Sequence, residues 1–275
     1  MSGPRRWIGY LALVLVFAAA CALLSWWQFS RNAEAQERIR EVADNWDAAP
    51  VPISALLASP DASLDRRDTW TPMTLTGSYD TAHQLLVRTR PSPVTGEVGY
   101  DVLVPLVLDS GDVVIIDRGW IPDGDSSAET PDSVPAAPSG DVEVTARIKV
   151  GEPGVPGRSA PSGQVATIEL PLIADLIGRA GDTYTGAYGV LASEAPSAAT
   201  GTLTPRPQPD PGPYLSYAIQ WILFAAAAAF ALIWTFVNER RVRRMTPEQR
   251  AAELRRRRER RRDRDAADED ALLDA

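Results

Sequence analysis

The side chains that most often do chemistry are scarce in this chain: 275 residues hold one histidine, one cysteine and three methionines. His83 is the imidazole, and a serine–histidine–aspartate hydrolase would have to use it as general base. Its place just before the apolar run Leu85 to Arg88 suits a surface turn. Copper and zinc ask for several Cys, His or Met ligands, and between the apolar spans described below there is no cysteine and a single methionine, Met73. No metal site is expected. Asp117 and Arg118 close an apolar strand, where they can bind a polar ligand, form a structural ion pair or mark a turn. Arg88 and Arg90 alternate along a strand, where they can clamp a propionate or phosphate or stand solvated. The chain has no G-x-S-x-G elbow, no phosphate-cradling glycine loop and no H-E-x-x-H. No catalytic residue and no enzyme class is therefore expected.

Two charge-free apolar spans organise everything else, Trp7 to Phe29 and Tyr214 to Val237. Each exceeds the roughly 20 residues that cross a hydrocarbon core at about 1.5 Å per residue. Arg5 and Arg6 precede the first; Arg240, Arg241, Arg243 and Arg244 follow the second. The segment between them, 31–213, carries 13 basic against 26 acidic residues, while the tail from Asn238 carries 13 arginines against 10 acids. The positive-inside rule then predicts a multi-pass cell-membrane protein with both termini cytoplasmic and the central domain external. The expected segments are a cytoplasmic N-terminus (1–6), a first transmembrane helix (7–29), an external β-rich domain (30–213), a second transmembrane helix (214–237) and a cytoplasmic Arg-rich helical tail (238–275). Ala18-Ala19-Ala20 could end a cleaved signal, but the apolar run is too long and continues past it. Cys21 reads as a membrane-buried cysteine, and one cysteine permits no internal disulfide.

The fold class expected is an α+β membrane protein, two transmembrane helices flanking a mainly antiparallel β domain. The first helix should run on as a stalk to about Trp46, since Glu34, Glu37, Arg38 and Glu41 meet no Gly or Pro before Pro50. Val142, Val144, Ala146 and Ile148 alternate with polar residues, the period of a strand with one wet face. Val102 to Leu108 and Val113 to Asp117 flank Asp109-Ser110-Gly111-Asp112 as a hairpin. Met73, Leu75, Leu85, Val87, Val165, Ile168 and Leu170 supply short strands, and Leu172 to Ile177 a short helix. Gly124 to Gly140, with three prolines, and Ala192 to Pro213, with six, read as extended linkers. Thr246-Pro247-Glu248-Gln249 suits an N-cap, a first-turn proline and a capping-box glutamine. The run Arg255 to Arg262 that follows lies just beyond a membrane span, so topology and contact with anionic lipid account for it and no nucleic acid is expected.

Several motifs, in one order between the two spans, resemble the SURF1 family of cytochrome c oxidase assembly factors. Trp27-Gln28 with Arg31 is similar to its W-Q-x-x-R at the exit of the first helix. Trp70 to Asp80 resembles its first external strand and turn. Gly99-Tyr100-Asp101-Val102-Leu103-Val104-Pro105-Leu106 and Arg118-Gly119-Trp120-Ile121-Pro122 resemble its two most recognisable blocks. Leu215, Tyr217-Ala218 and Gln220-Trp221 match the opening of its second span. The resemblance covers roughly Trp7 to Asn238 and implies assistance in building the haem-containing catalytic subunit of the oxidase. It implies as partner, besides the lipid bilayer, that catalytic subunit or a haem-synthesis protein. Tyr100, Arg118, Gly119, Trp120, Gln220 and Trp221 are the candidates for partner recognition. Some bacterial members are thought to bind haem a through a histidine at the head of the second span, where this chain has Tyr214. Tyrosine can ligate haem iron or anchor a helix at the headgroups, so haem a stays open as a cofactor. The reading from another class is an external ligand-binding or sensory domain joined to a cytoplasmic tail.

Overall fold

The computed structural model describes residues 3–125 and 129–246, with seven positions of the tail (248, 249, 252, 255, 256, 259 and 262). The chain divides into two units. One contains residues up to 33 and from 212 on; the other contains 34–211.

The first unit is built from two helices, α1 (Gly3–Asn45), which continues into the other unit, and α3 (Tyr214–Arg244). Both are long and apolar enough to cross a membrane by length and composition. Small residues let the two backbones approach: Cys21, Ser25 and Ala218 are buried, and the Ser25 hydroxyl donates to the Ala218 carbonyl at 3.0 Å. Trp7 meets Phe236 edge to face at 4.9 Å, and Arg6 pairs with Glu239. Helix α3 begins behind Pro213, which lacks the N–H that a helix interior would need, and stops at Met245. The capping box beyond it forms as its spacing predicts. The Thr246 amide donates to Gln249 Oε1 at 3.0 Å, and the Gln249 amide to Thr246 Oγ1 at 3.3 Å. Of the Arg255 to Arg262 run, residues 257, 258, 260 and 261 lie outside the described residues, as does the acidic end beyond 262.

The second unit is a small barrel with additions. Its strands are β1 (Val51–Pro52), β2 (Pro72–Tyr79), β3 (Leu85–Pro91), β4 (Val98–Leu108), β5 (Val113–Pro122), β6 (Asp141–Lys149), β7 (Gln164–Val165) and β8 (Tyr188–Ala195). They follow the order β1-β2-β6-β8-β5-β4-β3-β7, and an extra antiparallel pairing of β2 with β4 closes β2, β6, β8, β5 and β4 into a ring. Only β1–β2, β3–β7 and β5–β8 pair in parallel. The hairpin across Asp109 to Asp112 is the β4–β5 pair. Helix α2 (Leu170–Leu176) packs outside the ring.

β5 is buried on both faces, and its unbroken apolar run shows why. Val114 and Ile116 join a core with Met73, Leu75, Leu106, Val144, Ala146 and Leu191; Val113 and Ile115 join a second with Leu103, Val190 and the α2 residues Leu170 and Ile173. Successive side chains on a strand point to opposite faces, so a strand between two cores has no polar alternation. Helix α1 runs on to Asn45, as the stalk reading predicts, and its end is held on this unit. Asn45 Nδ2 donates to the carbonyls of Arg67 and Thr69 at 2.6 and 2.8 Å, Trp46 packs on Trp70, and the Arg147 guanidinium lies 3.8 Å from the Trp46 ring.

Two expectations are corrected. Ile168 and Leu170 are not strand residues: Ile168 lies in irregular chain and Leu170 opens α2, because Pro171 lacks an N–H for a ladder but suits a first helical turn. The segment from Ala192 is not linker at its start, since β8 runs to Ala195 and pairs it with Glu143. β8 itself goes unread in the sequence because Gly189 and the short residues around it dilute the strand pattern. Residues 126–128 of the first Pro-rich stretch lie outside the described residues.

Candidate functional site

The two most recognisable blocks of the sequence lie against each other, flanked by two bulges. Leu103 and Asp101 of β4 pair with Asp117 and Trp120 of β5, so β5 carries one extra residue there. Val87 and Arg90 of β3 pair with Asp101 and Gly99 of β4, so β3 carries one too. The Gly99-Tyr100-Asp101 segment therefore runs between bulges on both sides. Bulges bend a strand and re-aim its side chains. Gly119 occupies its bulge at φ +105°, and Thr89 lies in the other at φ +58°. Trp120 closes over Gly99, where a Cβ would come within 2.7 Å of the indole, and its Nε1 donates to the Arg90 carbonyl at 2.9 Å.

Alternation along β5 continues into the bulge and sends its two charged residues opposite ways. Arg118 follows Val114 and Ile116. Its side chain is 1% exposed, against 3% for its partner Glu194 on β8. Arg118 Nη2 donates to Glu194 Oε1 at 2.5 Å and to the Ala199 carbonyl at 3.1 Å; Nη1 donates to the Pro135 carbonyl at 3.3 Å. The Tyr79 hydroxyl donates to Glu194 Oε2 at 2.9 Å, with the guanidinium 5.4 Å from its ring. Burial first, and then the Glu194 charge, push the Tyr79 phenol far above its ordinary range. One side chain thus ties β5, β8 and β2 to both Pro-rich connections.

Asp117 follows Val113 and Ile115 toward the second core, where a second charged group lies. Arg90 Nε donates to Asp101 Oδ2 at 2.6 Å, and its two terminal nitrogens to Glu152 at 2.9 and 3.1 Å. Glu152 also accepts the Ile168 amide at 3.1 Å. Burial opposes the Arg90 charge, but the two carboxylates outweigh it and hold the group protonated. Burial raises the Asp101 carboxyl more than Arg90 lowers it. Asp117 accepts the Gly119 amide at 2.9 Å. Burial, and then the charge of Asp101, push its carboxyl up to about 7. Burial and the Asp117 charge also push the Tyr188 phenol well above 10.

A raised carboxyl pKa in the folded state sets the sign of a pH effect. Between about 4, where an unfolded aspartate ionises, and about 7 the folded chain holds the extra proton, so stability falls as pH rises through that window. Asp117→Asn, which keeps an acceptor for the Gly119 amide, should match wild type near pH 4 and become progressively more stable than it up to about pH 7, with no further gain above. Urea unfolding of the full chain in detergent across that range checks this; a constant difference at every pH would contradict it.

Of the residues singled out by sequence, Tyr100, Arg118 and Trp120 are buried and Gly119 packs against the Gly201 backbone. They lie inside the domain and shape it. Arg90 is committed to two carboxylates, so its guanidinium is not open to clamp a propionate or phosphate. His83 lies in an exposed turn, Nδ1 2.7 Å from Asp80, as its sequence position suggests. Gln220 is exposed on α3, Trp221 is half-buried edge-on to Phe224, and Tyr214 is half-buried with the Arg31 guanidinium 5.8 Å from its ring. Among the described residues no group of three His, Cys, Asp or Glu could hold a metal. Glu194, Glu152, Tyr79 and Tyr188 were not anticipated; no local pattern marks a glutamate whose arginine lies 76 residues away.

The model of the SURF1 family matches residues 15–226. An uncharacterized SURF1-like protein of Mycobacterium bovis is 34% identical over 243 residues, covering 86% of this chain and 86% of the relative. Uncharacterized SURF1-like proteins from two strains of Mycobacterium tuberculosis match with the same identity and coverage.

Proposed function

We propose, from the premise that this chain belongs to the SURF1 family, that it is a two-span membrane protein assisting assembly of cytochrome c oxidase, without catalysing a reaction itself. The observation that carries the reading is the extent of the family match. It begins inside the first apolar helix, takes in the whole β domain and ends inside the second. The basic flanks of both helices favour termini in the cytoplasm and the acidic β domain outside. The bulged blocks then act as a rigid frame: they fix the domain's shape, and recognition of the oxidase catalytic subunit or a haem-synthesis protein falls to surfaces that this frame supports, with exposed Gln220 and half-buried Trp221 on the helix unit.

The residues at the head of α3 do not make a histidine site for haem. Tyr214 stands there with its ring under Arg31, and the chain's histidine is bonded to Asp80 in the other unit. The assembly role is therefore proposed without a haem bound by this chain. Removing the gene should abolish oxidase activity in membranes, and both the wild-type chain and Tyr214→Phe should restore it. Normal activity without the gene would refute the role; failure of Tyr214→Phe alone, with the protein present at wild-type level, would restore phenolate ligation.

A further inference from the structure

The start of α1 and the end of α3 form an apolar groove that runs into a cationic stripe. Trp7, Ile8 and Leu11 of α1 face Leu232, Ile233 and Phe236 of α3 across a space of about 380 Å³ lined entirely by apolar side chains. On α3, Ile233, Phe236, Arg240 and Arg244 recur at spacings of three and four residues, so the apolar wall passes directly into a cationic stripe on the same face. The Arg240 guanidinium lies 4.3 Å from the Phe236 ring, at the mouth of the groove. Glu239, the carboxylate at this end, is already engaged by Arg6 at 2.7 Å and by Arg243 at 2.5 Å. Among the described residues no carboxylate pairs with Arg240 or Arg244.

An apolar slot that passes into arginines with no carboxylate partner among the described residues is complementary to an acyl chain ending in a phosphate. We propose that this groove is a seat for one anionic phospholipid, its acyl chain along the slot lined by Ile8, Leu11, Leu232 and Ile233, beside the Trp7–Phe236 contact, and its phosphate over Arg240 and Arg244. Neutral lipid satisfies the slot but not the stripe, and soluble phosphate the stripe but not the slot. The site rests on the membrane-spanning reading above, and it locates lipid contact at a defined place in the helix pair instead of along the disperse arginine run of the tail.

The test uses the full chain in vesicles of phosphatidylcholine containing a minor fraction of either phosphatidylglycerol or extra phosphatidylcholine with dibrominated acyl chains. The readout is quenching of the Trp7 emission, taken as the difference between wild type and Trp7→Phe. Quenching by the brominated anionic lipid should report an enrichment on the order of fivefold per arginine over the brominated neutral lipid. Arg240→Gln with Arg244→Gln should remove the preference, and the corresponding double lysine variant should retain it. Equal quenching by both lipids, a preference that survives the double glutamine change, or its reversal by soluble glycerophosphate would each overturn the proposal while leaving membrane insertion intact. A chain that does not float with the vesicles at all would overturn the membrane reading itself.

Discussion

Arg118→Met is expected to destabilise the β domain by about 3–5 kcal/mol, the cost of removing one partner from a buried ion pair and leaving the other uncompensated. Glu194 would remain with its side chain 3% exposed, facing, among the described residues, the Tyr79 hydroxyl as its one side-chain donor. The carbonyls of Pro135 and Ala199 would lose their donor as well. Replacing both charges, Arg118→Met with Glu194→Met, should cost clearly less than the single change, because no buried charge is then stranded. Urea unfolding of the full chain in detergent, followed by tryptophan fluorescence, reads both values. A single substitution within about 1 kcal/mol of wild type would mean that the guanidinium is not the tie between strands and connections described here.

The second large effect is expected at the bulge. Gly119→Ala places a side chain on a residue at φ +105°, a region that costs a non-glycine residue on the order of 1–3 kcal/mol. The added Cβ would also come to 2.8 Å from the Gly201 carbonyl carbon and 2.9 Å from the oxygens of Gly201 and Thr202, all backbone atoms that cannot swing aside. The Gly201 amide donates to the Arg118 carbonyl and the Trp120 amide to the Thr202 carbonyl, so the second Pro-rich segment would have to leave β5. A loss of about 2–4 kcal/mol follows when strain and displaced contacts combine. Early proteolysis between Pro196 and Pro213 should accompany it. An alanine variant as stable and as protease-resistant as wild type would show that this contact does not hold the segment.

These two residues also show what was legible in the sequence. The apolar run Val113 to Ile116, the turn residues Asp109 to Asp112 and the alternation from Val142 to Ile148 each carry their strand signal locally, and each forms the strand expected. The capping box at Thr246 and Gln249 is equally local, since its partners are three residues apart. Arg118 stood out by type and neighbours, but its meaning did not. Its carboxylate partner lies 76 residues away on β8, joined to β5 by a parallel pairing that no local pattern encodes. Glu194 was further disguised by the prolines that follow it, which made the end of a strand look like linker. Asp117 likewise reads as a turn residue until the Gly119 bulge turns it into a buried acid beside Asp101. Exposure, which decides whether a motif meets a partner or a core, is a property of pairing between distant segments.

We propose that this chain serves the construction of cytochrome c oxidase. Reduced-minus-oxidised absorption spectra of membranes from cells with and without the gene test it most directly. Without the gene the haem a band should be lost or sharply reduced while the bands of b- and c-type cytochromes persist, and the full chain should restore the haem a band. An undiminished haem a band in the deletion strain would contradict it.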